Sequence, residues 1–169
     1  MLVVYSKIRI DDADRRRIEG IRQAHDPSQA LVGPHFTLVF PFTGVDTDEV
    51  ASHLRSVIRG QSPIPFRLTR TAVVPVGAGP RSYVFLVPSA GENELCRLHA
   101  DLHTGPLAGK RPSFNFLPHV TVAVMGSPAQ AARIAASLDP IDIAGEVATV
   151  NLAELDGATL ADLHSFPLR

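Results

Sequence analysis

The sequence has no tryptophan, one cysteine and no long apolar run. Cys96 alone cannot form an intrachain disulfide. There is no basic-then-apolar segment at the start and no stretch of about 18 apolar residues, so neither an export signal nor a membrane helix is expected, and a reducing cytoplasm is the default location. An excess of one charge is lacking too. Sixteen Lys and Arg against 17 Asp and Glu leave a formal net charge of −1, which argues against capture of polyanions along a broad basic face but leaves room for a local basic cleft. What is present is an apolar fraction of 45% in 169 residues, the balance of a folded chain that can form one ordinary domain or two small lobes sharing a core.

Hydrophobic periodicity divides the chain into two similar passes of strand and helix. A strand is predicted at 2–8 and a helix at 11–25, with acids before arginines along it and Ile18 and Ile21 opening its apolar face. A strand over 35–40 precedes a helix at about 47–59. There Asp46 and Glu49 have capping-box spacing, and Val50, Leu54, Val57 and Ile58 form the packing stripe. Segments 66–76 and 81–87 flank Gly-Ala-Gly-Pro as a hairpin. A helix at 92–104 carries Leu95, Leu98 and Leu102. A Pro-rich loop over 105–118 leads to a strand at 119–124 and to a helix capped by Ser127, with Pro128 at its first position and Gln130 completing the box. Two strands, 146–154 and 158–166, close the order β-α-β-α-β-β-α-β-α-β-β. The expectation is an α+β fold, one two-lobed domain over 1–169, with two antiparallel sheets related by a pseudo-twofold around a central groove and helices outside.

One tetrapeptide pattern occurs twice. Pro34-His35-Phe36-Thr37-Leu38 and Pro118-His119-Val120-Thr121-Val122 lie 118 − 34 = 84 positions apart. Side chains alternate faces along a strand, so His35, Thr37 and Val39 share one face while Phe36, Leu38 and Phe40 share the other. Likewise His119, Thr121 and Ala123 oppose Val120, Val122 and Val124. The large apolar triplets suit a core, and β-propensity has no use for histidine on the other face. If the lobes are related by a pseudo-twofold, the His-Thr pairs confront each other. Two imidazoles with ordinary pKa near 6.5 can act as one base and one acid, and two hydroxyls can donate to phosphoryl oxygens. The set suits phosphodiester chemistry without calling for a metal or other cofactor.

On these residues the chain resembles the two-histidine phosphoesterase superfamily, whose signature is a pair of His-X-Thr/Ser-X motifs. It looks most like the bacterial 2′-5′ RNA ligase or cyclic phosphodiesterase group. The resemblance implies a bilobal fold with a water-filled groove and hydrolysis of 2′,3′-cyclic phosphates to 2′-phosphates, or a related 2′-5′ transaction. It also implies that His35 is the proton donor and His119 the base, although the pseudo-symmetry leaves the two roles interchangeable. No residues resemble a nucleotidyl-transfer lysine motif. The expected partner is a small nucleotide or an RNA end rather than a long RNA, since no basic tract follows a backbone and any base stacking falls to Tyr83, Phe42, Phe114 or Phe116. Neither a membrane nor an obligate protein partner is inferred.

Tyr83 and Arg81 share a strand face and Arg111 lies before the second motif, which makes each a candidate for stacking or for clamping phosphate. His99 and His103 are four apart on a helix, as metal ligands can be, but their stretch lacks the Glu of a zinc-hydrolase motif. Arg15, Arg16 and Arg17 read as a solvated face and Cys96 as the margin of the core. His25, His53 and His164 are assigned no role. Two competing readings remain open on sequence grounds: a binding protein that holds nucleotides in the groove without turnover, and a metal-dependent hydrolase built on His99 and His103.

Overall fold

The computed structural model describes residues Met1 to Arg169. Its elements are β1 (Leu2–Ile10), α1 (Asp12–His25), β2 (His35–Phe42), α2 (Thr47–Val57), β3 (Ile64–Pro75), β4 (Ser82–Ala90), α3 (Glu92–Leu102), a 3-10 helix (Gly105–Lys110), β5 (Val120–Met125), α4 (Pro128–Ser137), β6 (Ile143–Val147), β7 (Thr149–Asp156) and β8 (Thr159–Pro167). The helix starts follow from their caps: the side chains of Asp11, Asp46 and Ser127 accept from backbone N–H groups of the first turns of α1, α2 and α4.

All strand pairings are antiparallel. They form two four-stranded runs, β2-β1-β7-β8 and β5-β4-β3-β6. The runs are not separate sheets, as the sequence suggested, because β1 also pairs with β6 and joins them. The segment expected as one strand over 146–154 is β6 and β7, interrupted at Ala148. Ile8 pairs with Val147 but Tyr5 with Asn151, a one-residue slip along β1. The break lets a nearly continuous strand turn its outer edge first to β3 and then to β8. At the junction Gly145 is squeezed between β1 and β3: a Cβ placed there would come within 2.6 Å of Arg9 O, Ile10 Cγ2 and Phe66 Cζ. The loop expected over 105–118 contains the 3-10 helix.

The two runs are alike in plan. Each ends in a motif strand, β2 or β5, that is hydrogen-bonded on one side only. Helix α1 packs beside β5 and α3 beside β2, with α4 along β3 and β4 and α2 near β8. The stripes anticipated from sequence are buried: Val50 and Leu54 on α2, and Leu95, Leu98 and Leu102 on α3. They join Phe36, Leu38, Val120 and Val122 in one core cluster of 34 residues. At about 25 cal/mol per Å² of apolar surface removed from water, that burial is the main favourable contribution to the fold. No helix is long and apolar enough to cross a membrane.

Candidate active site

Simple alternation fails at the same place in both motif strands. On β2, Thr37 pairs with Tyr5 and Val39 with Val4, so Leu38 has no partner on β1. On β5, Thr121 pairs with Phe85 and Ala123 with Val84, so Val122 has none on β4. The two unpaired residues are 122 − 38 = 84 positions apart, the spacing of the motifs. Each is a one-residue bulge, and a bulge reverses which residues face the core beyond it. Val39 and Ala123, expected beside the His-Thr pairs, are fully buried, whereas Phe40 and Val124, expected in the core, are half-buried. The carbonyl of the unpaired Leu38 accepts a buried hydrogen bond of 2.7 Å from His99 Nδ1 on α3.

Upstream of the bulges the expected face holds: His35, Thr37, His119 and Thr121 are half-buried, while Phe36, Leu38, Val120 and Val122 are buried. Strands β2 and β5 approach each other. Each imidazole is fixed in the same way. His35 Nδ1 lies 2.9 Å from Gly33 O and His119 Nδ1 lies 2.6 Å from Leu117 O, in both cases the carbonyl two residues back. A carbonyl only accepts, so Nδ1 carries the proton and Nε2 is left for chemistry in both rings. Each ring also leans on an aromatic side chain of the neighbouring strand. Tyr5 meets His35 edge-on at 5.6 Å, and Phe85 stacks on His119 at 3.7 Å. Burial pushes both imidazoles below the usual histidine range, with Arg22 and then His119 adding to the effect at His35.

The chain before His35 is shaped by a buried ion pair on α1. Arg22 Nε contacts Asp26 Oδ2 at 3.0 Å, Arg22 also donates to Val32 O, and Asp26 accepts from the N–H and hydroxyl of Ser28. These bonds hold residues 26–32 as one wall of a pocket of about 170 Å³ whose lining includes Tyr5, His35, Thr37 and Phe40. Across it, Tyr5 Oη and Lys7 Nζ both donate to Asp162 on β8, and burial with that carboxylate pushes the Tyr5 phenol up to about 12.

The five candidate ligand-contacting residues separate. Tyr83 is half-buried and stacked at 5.3 Å on Phe85, the ring that covers His119. Arg81 is exposed just before β4. Arg111 is exposed near α3, where its charge adds to the burial that lowers His99 and His103. Phe42 is 6% exposed in the core, because a second register shift, between the pairs Val4–Val39 and Leu2–Phe42, reverses the facing again after Phe40 has turned outward. Phe40 meets the exposed Phe114 edge-on at 5.3 Å. Phe116 lies flat on His99 at 3.8 Å, one ring face already covered. Tyr5, Phe85 and Phe40 were not singled out from sequence, since only strand pairing and the bulges bring them to the histidines. His99 and His103 commit Nδ1 to the carbonyls of Leu38 and His99, and no third His, Cys, Asp or Glu completes a ligand set with them.

Comparisons with known proteins agree with this geometry. The family described as the 2′-5′ RNA ligase superfamily matches residues 10–159. A protein of Geobacillus kaustophilus named "Putative phosphoesterase" is 32% identical over 123 residues, 72% of this chain and 66% of its own length, so the match spans just under two thirds of that relative. Among solved structures, TT0787 of Thermus thermophilus superimposes with a TM-score of 0.66 at 21% identity, covering 100% of this chain and 98% of that one. Escherichia coli LigT complexed with 3′-AMP gives a TM-score of 0.59 at 18% identity, covering 99% and 97%. With a family match over most of its length and both motifs on matched terminal strands, the chain belongs to the 2′-5′ RNA ligase superfamily.

Proposed function

We propose that the protein is a metal-independent phosphodiesterase that hydrolyses 2′,3′-cyclic phosphates, or related 2′-5′ linkages, at RNA ends or in small nucleotides. The observation that carries this reading is the matched presentation of two imidazoles, each with Nδ1–H tied to the carbonyl two residues back and Nε2 left over. One Nε2 takes a proton from water as the water oxygen bonds to phosphorus. The bond from phosphorus to O3′ breaks, and Nε2–H of the other ring protonates that oxygen, leaving a 2′-phosphate. Thr37 and Thr121 stand two residues from the histidines on the same strand faces and donate to the non-bridging oxygens as charge builds there. Tyr83 stacks on Phe85, the ring that covers His119, and the 3′-AMP complex of the E. coli neighbour supports a nucleotide as ligand.

The family resemblance makes His35 the acid and His119 the base. Electrostatics do not favour that order: burial lowers both rings, and Arg22 weighs further against a charged His35, partly offset by Asp26. The test is a panel of 2′,3′-cyclic nucleotides and 2′-5′ dinucleotides in EDTA with wild type, His35→Ala and His119→Ala. Each variant is expected to lose about 10²–10⁴-fold in kcat, the usual contribution of one positioned acid or base. Turnover by either variant at the wild-type rate sinks the mechanism. Tight nucleotide binding without product from any substrate favours a binding protein instead.

A further inference from the structure

A second cavity, of about 450 Å³, lies away from the pocket beside His35. It lies where the end of α2 meets the end of β8, and its lining is Arg55, Ile58, Arg59, Gly60, Phe166, Pro167 and Arg169, none of which lines the pocket beside His35. Its size falls within the range of small-molecule sites, roughly 300–1,000 Å³. Three of its walls are arginines. The ion pairs of the structure use Lys7, Arg9, Arg22, Arg67 and Arg70 as cations, and none of these three. The arginine side chains that make hydrogen bonds are Arg9, Arg15, Arg17, Arg22, Arg67 and Arg70, again none of the three. In a chain of net charge −1, three unneutralised guanidiniums around one concavity are a local excess that its overall composition does not require.

The arrangement is also held in place. Arg55 lies over the Phe166 ring at 5.6 Å, and Phe166 belongs to the core. The backbone N–H of Arg169 donates to Gln61 O and that of Leu168 to Ala148 O, which pins this segment against the turn after α2. Ile58, Phe166 and Pro167 give the cavity an apolar side. Guanidinium forks match phosphate oxygens in pairs, and three of them exceed what one phosphate group can engage.

We propose that this cavity is a second, non-catalytic anion site that takes an oligophosphate, either free or as the phosphate chain of a nucleotide. The site is independent of the proposed hydrolysis, since it shares no residue with the motif strands. The experiment is calorimetric titration of the full chain with inorganic tripolyphosphate and, separately, with ATP. It uses wild type, Arg59→Gln/Arg169→Gln, and His35→Ala/His119→Ala, each checked for folding by circular dichroism. The Arg59→Gln/Arg169→Gln pair leaves Arg55 on Phe166 and so spares the core. Tripolyphosphate is expected to bind wild type and the histidine variant alike, and the arginine variant at least about tenfold more weakly, as loss of charge-assisted hydrogen bonds implies. Equal affinity for both ligands assigns recognition to the phosphate chain, and tighter ATP binding adds the apolar wall. Absence of tripolyphosphate binding, binding indifferent to the arginines, or binding lost in the histidine variant overturns the proposal.

Discussion

Replacing His99 with leucine tests whether the bulge in β2 is held by α3. His99 is 5% exposed and its Nδ1 donates to the carbonyl of Leu38, the residue skipped by the β1 ladder. Leucine fills similar space but cannot donate, so the carbonyl is left buried and unsatisfied, at a cost of about 1–3 kcal/mol. Loss of the flat stack on Phe116 adds roughly 0.5–1.5 kcal/mol. The total, about 1.5–4.5 kcal/mol, corresponds to roughly 3–18 °C in Tm at about 2–4 °C per kcal/mol for a chain of this size. A second signature is the pH dependence. Burial lowers the His99 ring to about 4, so below its ordinary value near 6.5 the unfolded chain binds a proton that the folded chain resists. The stability this contributes is complete above about 6.5 and lost as pH falls towards 4. Urea unfolding at pH 7.5 and pH 5 measures both effects, and His99→Leu is expected to be less stable at pH 7.5 and less sensitive to acid. An unchanged midpoint at pH 7.5 refutes the argument.

Two further outcomes follow from the site and the junction. Because burial lowers both motif histidines, the free-enzyme optimum in kcat/KM is expected below pH 6.5, where one ring is neutral and the other protonated; a symmetric optimum near pH 8 contradicts this. Gly145→Ala forces a methyl group against Arg9 O and Phe66 and is expected to destabilise by about 1–3 kcal/mol, read from the urea midpoint.

Much of the fold was legible because its signals are local. The caps at Asp46 and Ser127, the leucine stripe of α3 and the apolar residues of both motifs need only spacing and burial to be read. The two histidines and two threonines stood out as a candidate site because the motif is written twice. What escaped depends on pairing between distant segments. Phe40 faces out and Phe42 faces in because β2 slips twice against β1, once at Leu38 and again between Val39 and Phe42, and nothing in 35–42 alone announces either slip. Tyr5 and Phe85 reach the imidazoles only through their registers with Thr37 and Thr121. The interruption at Ala148 exists because β1 serves two runs at once, a property of topology rather than of the residues near 148.

The single seam between the two runs has a mechanical consequence. His119 is carried at β5, three strand spacings from β6, while His35 is carried one strand beyond β1. At about 4.8 Å per strand, a rotation of roughly 5° about the β1–β6 seam swings the far imidazole by about 1 Å relative to the near one. A displacement of that size at reacting groups can cost about a hundredfold in rate. The tight fit at Gly145 therefore stiffens the pivot of a long lever whose tip carries the two motif histidines.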